Sequence, residues 1–224
     1  MISVKKAIQK VPCRMRYDEV WGDDNGFIKV AKDGMWGFID QSGSEIIPLT
    51  YDSVGRFRCG LSCVERLGLF GMIDRAGNEI IPCVYDEEFE FCSKTTWVKK
   101  SGKYYLIDQC GVPLSETAFD DIWSGFDDLC AVATSGKWGI LSEITGELLI
   151  PQIYQQAYPL YHGLIRVKLQ GRWGLLDSSG RELLPIIYTE IKESESGVIC
   201  VKKKGKWGIF VLSENNVEQP DMGC

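Results

Sequence analysis

Apolar and polar positions along this chain follow neither the 3.6-residue period of a helix nor a plain alternation. They form short contiguous apolar runs cut by glycine, aspartate and proline, and the arrangement recurs at nearly fixed intervals. One aromatic slot is filled by Trp36, Phe70, Tyr104, Trp138, Trp173 and Trp207, spaced 34, 34, 34, 35 and 34 residues. A second is filled by Tyr17, Tyr51, Tyr85, Phe119, Tyr154 and Tyr188 with the same spacing. Both markers count six copies. Tandem repeats of this length mean a solenoid, a propeller or an array.

The residue two before the first slot is always glycine (Gly34, Gly68, Gly102, Gly136, Gly171, Gly205), and the residue six before is always valine. An X-Gly pair between two apolar runs reads as the tip of a two-residue hairpin, where glycine accepts positive φ freely. The following strand ends in Asp-x-x-Gly at Asp40, Asp74, Asp108 and Asp177, which is type I turn chemistry. A third apolar run then reaches proline at Pro48, Pro82, Pro151 and Pro185, marking a strand edge or end. The tyrosine slot and a short, more polar strand complete the unit. Contiguous apolar runs predict sheets covered on both faces.

Four short strands per unit predict an all-β fold of six tandem ~34-residue β-repeats. The expected architecture is a closed six-bladed β-propeller-like ring; the alternative is an open β-solenoid of stacked hairpins. The phase of the ends favours the ring. Ala7 to Pro12 resembles a third strand with its proline ahead of Tyr17, and only a weak counterpart, Asn215 to Pro220, follows Trp207. The expected organisation is a single repeat domain over 1–224: a closing strand within 1–16, repeats over 17–212 and a tail over 213–224.

The pattern Gly-Lys-Trp-Gly, two apolar residues, Asp-x-x-Gly-x-Glu, two apolar residues, Pro-x-x-Tyr-Asp resembles the WG (KWG) β-repeat family of bacterial proteins. The resemblance covers about residues 17–212. Copy three departs most, with Tyr104-Tyr105 for Trp-Gly and Leu114-Ser115-Glu116 for the apolar pair and proline. The resemblance implies a bacterial repeat protein that binds partners, with no catalytic residues to carry over.

Composition narrows the function classes. Apolar content of 45% and charged content of 25% are those of a globular protein. A net charge of −6 argues against general nucleic-acid binding. No apolar run reaches the roughly 18–20 residues of a membrane span, and the first ten residues lack a secretory signal. The nine cysteines have no zinc-type spacing and are read as reduced thiols in a cytoplasmic protein. His162, the one histidine, is expected in an exposed loop with no nucleophile motif beside it. The expectation is therefore a protein that is not an enzyme and uses no cofactor.

Candidate contacts lie off the repeat pattern. Four residues after each tyrosine slot stand Trp21, Gly55, Phe89, Trp123, Tyr158 and Lys192, so aromatics occur there without being required. The loops that follow are acidic at Asp23, Asp24, Asp127, Asp128, Glu193 and Glu195, whereas the X-Gly hairpins carry Lys99, Lys100, Lys103, Lys168, Arg172 and Lys202 to Lys204. Alternate turns of a meander emerge at opposite ends, giving a partner two charged faces to read. Aromatics inside an acidic rim make Trp21, Asp23, Asp24, Phe89, Trp123, Asp127, Asp128 and Tyr158 the candidate site for a protein or peptide partner. The alternative is a lectin-like protein stacking glycans on the same aromatics; a divergent propeller hydrolase is the remote one.

Overall fold

A computed structural model describes residues 16–211 apart from 25, 116 and 194–197. The ring-closing strand expected over Ala7 to Pro12 and the tail from 212 lie outside the described residues. The chain divides into two compact units between Cys92 and Ser93. The first unit holds two four-stranded antiparallel sheets. One is β1 (Glu19–Asp24), β2 (Phe27–Lys32), β3 (Met35–Ile39) and β4 (Glu45–Tyr51). The other is β5 (Ser53–Val54), β6 (Leu61–Arg66), β7 (Leu69–Asp74) and β8 (Glu79–Tyr85).

The second unit opens with the pair β9 (Thr95–Lys100) and β10 (Lys103–Asp108). A four-stranded sheet follows: β11 (Asp121–Ser124), β12 (Leu129–Thr134), β13 (Lys137–Ser142) and β14 (Leu148–Tyr154). The next is β15 (Gln156–Pro159), β16 (Ile165–Leu169), β17 (Arg172–Leu176) and β18 (Glu182–Tyr188), with a 3-10 turn at Tyr161–Gly163. The last described sheet is β19 (Glu190–Glu193), β20 (Val198–Lys203) and β21 (Lys206–Val211). Strands neighbour each other in chain order, as in a propeller blade.

The turns follow from the repeat chemistry. Both residues of each X-Gly pair have positive φ, as at Ser135 (53°) and Gly136 (71°), which is the type I′ hairpin. The residue after the tyrosine slot caps this turn from across the sheet. Carboxylate oxygens of Asp18, Asp52 and Asp120 accept the amides of Asp33, Leu67 and Ser135 at 2.7, 2.5 and 2.7 Å. Gln155 does the same for Gly171 at 2.8 Å. At the other end of the sheet Asp40 Oδ1 accepts the amides of Ser42 and Ser44 at 2.8 and 2.9 Å; Asp74, Asp108 and Asp177 repeat the arrangement. These are Asx-turn bonds that relieve backbone donors locally.

The second glycine of Trp-Gly has a different reason. Between β3 and β4 the register passes from Phe38↔Ile47 to Trp36↔Tyr51, so the edge strand bulges at its proline. That bulge presses on the glycine: a Cβ at Gly37 would lie 2.5 Å from Ile47 O and 2.8 Å from Pro48 C, and one at Gly71 2.5 Å from Ile81 O. Trp-Gly and the downstream proline are therefore two halves of one packing device. Copy three has Tyr105 at that glycine, and among the described residues its returning chain makes isolated bridges, Tyr104↔Phe119 and Ile107↔Pro113, in place of a proline strand.

The repeat valines, Val30, Val64, Val98, Val132, Val167 and Val201, are all buried. Core clusters form between successive sheets within each unit, for example Phe38, Ile47, Val54, Val64 and Ile73 in the first, or Ala131, Ile140, Ala157 and Val167 in the second. The aromatics of the Trp slot are only half-buried or exposed. Trp36, Trp138 and Trp173 pack one side on a core cluster. Cations from the neighbouring strand cover ring faces of several: Lys29 on Trp36 at 4.5 Å, Lys168 on Trp173 at 5.1 Å, Lys202 on Trp207 at 5.3 Å.

Candidate partner-binding site

In the second unit two loop-bearing segments, 123–128 and 158–163, run side by side. The edge of Trp123 meets Tyr158 with ring centroids 5.9 Å apart and planes at 85°. Gly125 lies so close to the Pro159 ring that no side chain fits there. Phe126 and Tyr161 stack at 3.8 Å and 27°. The Asp127 carboxylate accepts the Gly163 amide at 2.8 Å, and the Asp128 carbonyl accepts the Glu143 amide at 2.8 Å. Asp127, Asp128 and His162 all take left-handed backbone to make this path.

The consequence is an aromatic ridge that is ordered yet open to solvent: Trp123 is 58% exposed, Tyr161 50% and Phe126 41%. Large apolar rings in solvent, held by neighbours, are what an interface anchor needs. Beneath the ridge, Tyr158 stacks on Trp173 at 6.1 Å and 28°. The Arg166 guanidinium lies 5.1 Å from the Tyr158 centroid and 5.2 Å from that of Trp173. Its Nη1 donates to both carboxylate oxygens of Glu193, at 3.0 and 2.9 Å, and to Ile191 O at 3.4 Å. A charge-assisted pair of this kind fixes the aromatic floor.

The predicted residues separate on inspection. Trp21 is 60% exposed, with its indole N–H donating to Glu19 at 3.1 Å, and it borders a cleft of about 510 Å³ in the first unit. The backbone places Asp23 opposite Ile28 and Asp24 opposite Phe27; their side chains lie outside what is described, as does Glu195. Phe89 corrects the expectation: it lies in no strand and is only 7% exposed, because its ring packs on Tyr85 at 5.3 Å and Phe91 at 6.3 Å. Asp127 ties two loops together, and so is a structural staple rather than a free rim charge. His162 is exposed on its turn. Phe126, Tyr161 and Arg166 completed the ridge unforeseen, and Glu193, expected only as an acidic loop charge, pairs with Arg166 beneath it. The signal available was that Phe126 and Tyr161 stand in loops at phases where the repeat demands nothing.

The turns, the paired glycine and proline, and the sheet order define an all-β protein of tandem four-stranded meanders. The model of the WG containing repeat matches residues 36–69, 70–104, 138–173 and 173–207, and the chain belongs to that family. No match was found among curated proteins. Among solved structures, Hsv2 of Kluyveromyces lactis is similar at a TM-score of 0.39 and 9% identity, over 87% of this chain and 74% of that one. Virginiamycin B lyase from Staphylococcus aureus is similar at a TM-score of 0.32 and 14% identity, over 90% and 82%. At this level of likeness neither protein's activity transfers to this chain.

Proposed function

We propose that the protein is a non-enzymatic binding module that presents the 123–128 and 158–163 ridge to a protein or peptide partner. The observation that carries this reading is the exposure of Trp123, Phe126 and Tyr161 on segments pinned to each other at four successive contacts. Preorganised rings lose little freedom on binding, which is how a small patch becomes an anchor. The reading takes the protein as cytoplasmic, on its reduced thiols.

The test is capture of partners from the native cell extract by wild type and by Trp123→Ala. The ring is exposed, so the variant is expected to fold and to lose the partner. A folded variant that captures the same partner equally well overturns the assignment, as does a Trp123→Ala chain that cannot fold. Trp21, exposed beside a cleft, favours glycan stacking as the second reading. Saturable glycan binding abolished by Trp21→Ala, with no protein captured, would replace the first reading.

A further inference from the structure

Two cross-sheet contacts, one in each unit, are internal copies of each other. Arg166, on the residue before a repeat valine, donates to the carbonyl of Ile191 in the next sheet. Lys29, on the residue before another repeat valine, donates to the carbonyl of Val54 in its own next sheet. Ile191 and Val54 each stand three residues after a tyrosine slot. The matched backbone contact makes the surrounding positions comparable one by one.

Two positions differ in chemistry. Five residues after the tyrosine, the second unit has Glu193, which neutralises Arg166; the first has Arg56, which faces Lys29 with the same sign. Four residues after the tyrosine, this register sets Lys192 against Gly55; it is the preceding pair of sheets in the second unit that places a ring at this phase, Tyr158 against Trp123, where the first unit has Gly55 beside Trp21. Where two successive pairs of sheets in the second unit place a phenol ring and a carboxylate, the one pair in the first unit has a cleft of about 510 Å³ bordered by Trp21, Phe27, Lys29, Gly55, Arg56 and Glu88. That volume lies inside the range of about 300–1,000 Å³ usual for ligand sites. Arg56 makes no ion pair among the described residues, and Glu88 is the single carboxylate on the walls.

We propose that this notch binds a peptide segment carrying an aromatic side chain next to a carboxylate, the ring entering over Gly55 against Trp21 and the carboxylate lying between Lys29 and Arg56. The occupant supplies from outside the ring that Tyr158 supplies in one pair of sheets and the carboxylate that Glu193 supplies in the next. Burial lowers the Lys29 ammonium; Glu88 and Glu19 oppose this and Arg56 adds to it. An incoming carboxylate relieves the like-charge contact between Lys29 and Arg56. The inference rests on reading the protein as a peptide-binding module, but its site is separate from the ridge.

The experiment is fluorescence anisotropy of a labelled Gly-Ser-Glu-Tyr-Glu-Ser-Gly peptide with the full chain. The controls are peptides with Gln for both Glu or Ala for Tyr. Saturable binding is expected, weakened at least tenfold by either control peptide and by rising salt. Arg56→Glu, at an exposed side chain, should weaken it at least tenfold by recreating the pairing of the other unit. Gly55→Tyr should do the same by filling the notch; its backbone is not left-handed, and a Cβ there is 3.3 Å from Cys63 O. Trp123→Ala should leave peptide binding unchanged. Absence of saturable binding to the wild type, or equal binding by Arg56→Glu, overturns the proposal. Absence of peptide binding together with a captured partner that is lost with Trp123→Ala would overturn the notch alone, leaving the module reading in place. Absence of peptide binding together with a partner kept by Trp123→Ala would overturn both.

Discussion

Gly71→Ala adds one methyl group where β8 already touches β7. The new carbon would lie 2.5 Å from Ile81 O and 2.7 Å from both Cys83 N and Pro82 C, whereas ordinary contact begins at 3.4 Å. The obstructing atoms are backbone, so the edge strand has to retreat by about 0.9 Å, the difference between 3.4 and 2.5 Å. Ladder hydrogen bonds stretched by that much cease to qualify as bonds. Overpacking of this kind costs about 1–3 kcal/mol, and one or two weakened ladder bonds add about 1 kcal/mol. The reduced freedom of the unfolded chain returns about 0.4–1 kcal/mol. A net loss of about 2–3 kcal/mol is expected. Gly68→Ala, in the same hairpin, is the control: its φ of 75° is strained for alanine, but nothing lies within 4 Å. It should lose about 1 kcal/mol. Urea unfolding compares the two, and amide exchange along Glu79–Tyr85 locates the damage. If Gly71→Ala is no worse than Gly68→Ala, or β8 amides stay as protected as in the wild type, the coupling of Trp-Gly to the proline bulge is wrong. Copy three, with Tyr105 and no fourth strand among the described residues, is the natural form of the same lesion.

Two further outcomes follow from titrating groups. Burial pushes the thiols of Cys63 and Cys130 up to about 11 and about 12, so in the native protein a thiol reagent should label exposed Cys59, Cys92 and Cys110 well before them; comparable rates would contradict this packing. In denaturant without reductant all nine cysteines should react, and a count of one would mean four disulfides. Hydrogen bonds from the Ser42 side chain and the Asn78 side chain, with backbone amides, hold Asp40 and Asp74 below the ordinary 3.8; at Asp177 burial opposes the lowering, which Ser179 and backbone amides bring about. A carboxyl with a depressed folded value stabilises the fold above the unfolded value and loses that contribution as pH falls through the folded one. The urea midpoint should therefore drop as pH falls below 3.8, and replacing all three by Asn should flatten that drop; an unchanged slope would refute the turn assignment.

What could be read from the chain alone is what neighbours in sequence enforce. Hairpin tips at X-Gly and turns at Asp-x-x-Gly depend on φ and on bonds spanning a few residues, so residue type at fixed spacing reveals them. Period and copy number followed from the same marks, and the contiguous apolar runs match inner strands buried on successive residues, as in β12. The role of Trp-Gly's second glycine was not legible, because the backbone that requires it returns ten residues later in a bulge. The fate of the off-pattern aromatics was hidden for a stronger form of the same reason. Phe89, Trp123 and Tyr158 share a phase, yet Phe89 is buried by Tyr85 and Phe91, Tyr158 is held between Trp123 and Trp173, and Trp123 stays open. Phase fixes where a side chain leaves its strand. For Trp123 and Tyr158 exposure is decided by what the next sheet places against them, through contacts some 35 residues apart, whereas Phe89 is covered by Tyr85 and Phe91 close by in the chain once that segment leaves the strand path.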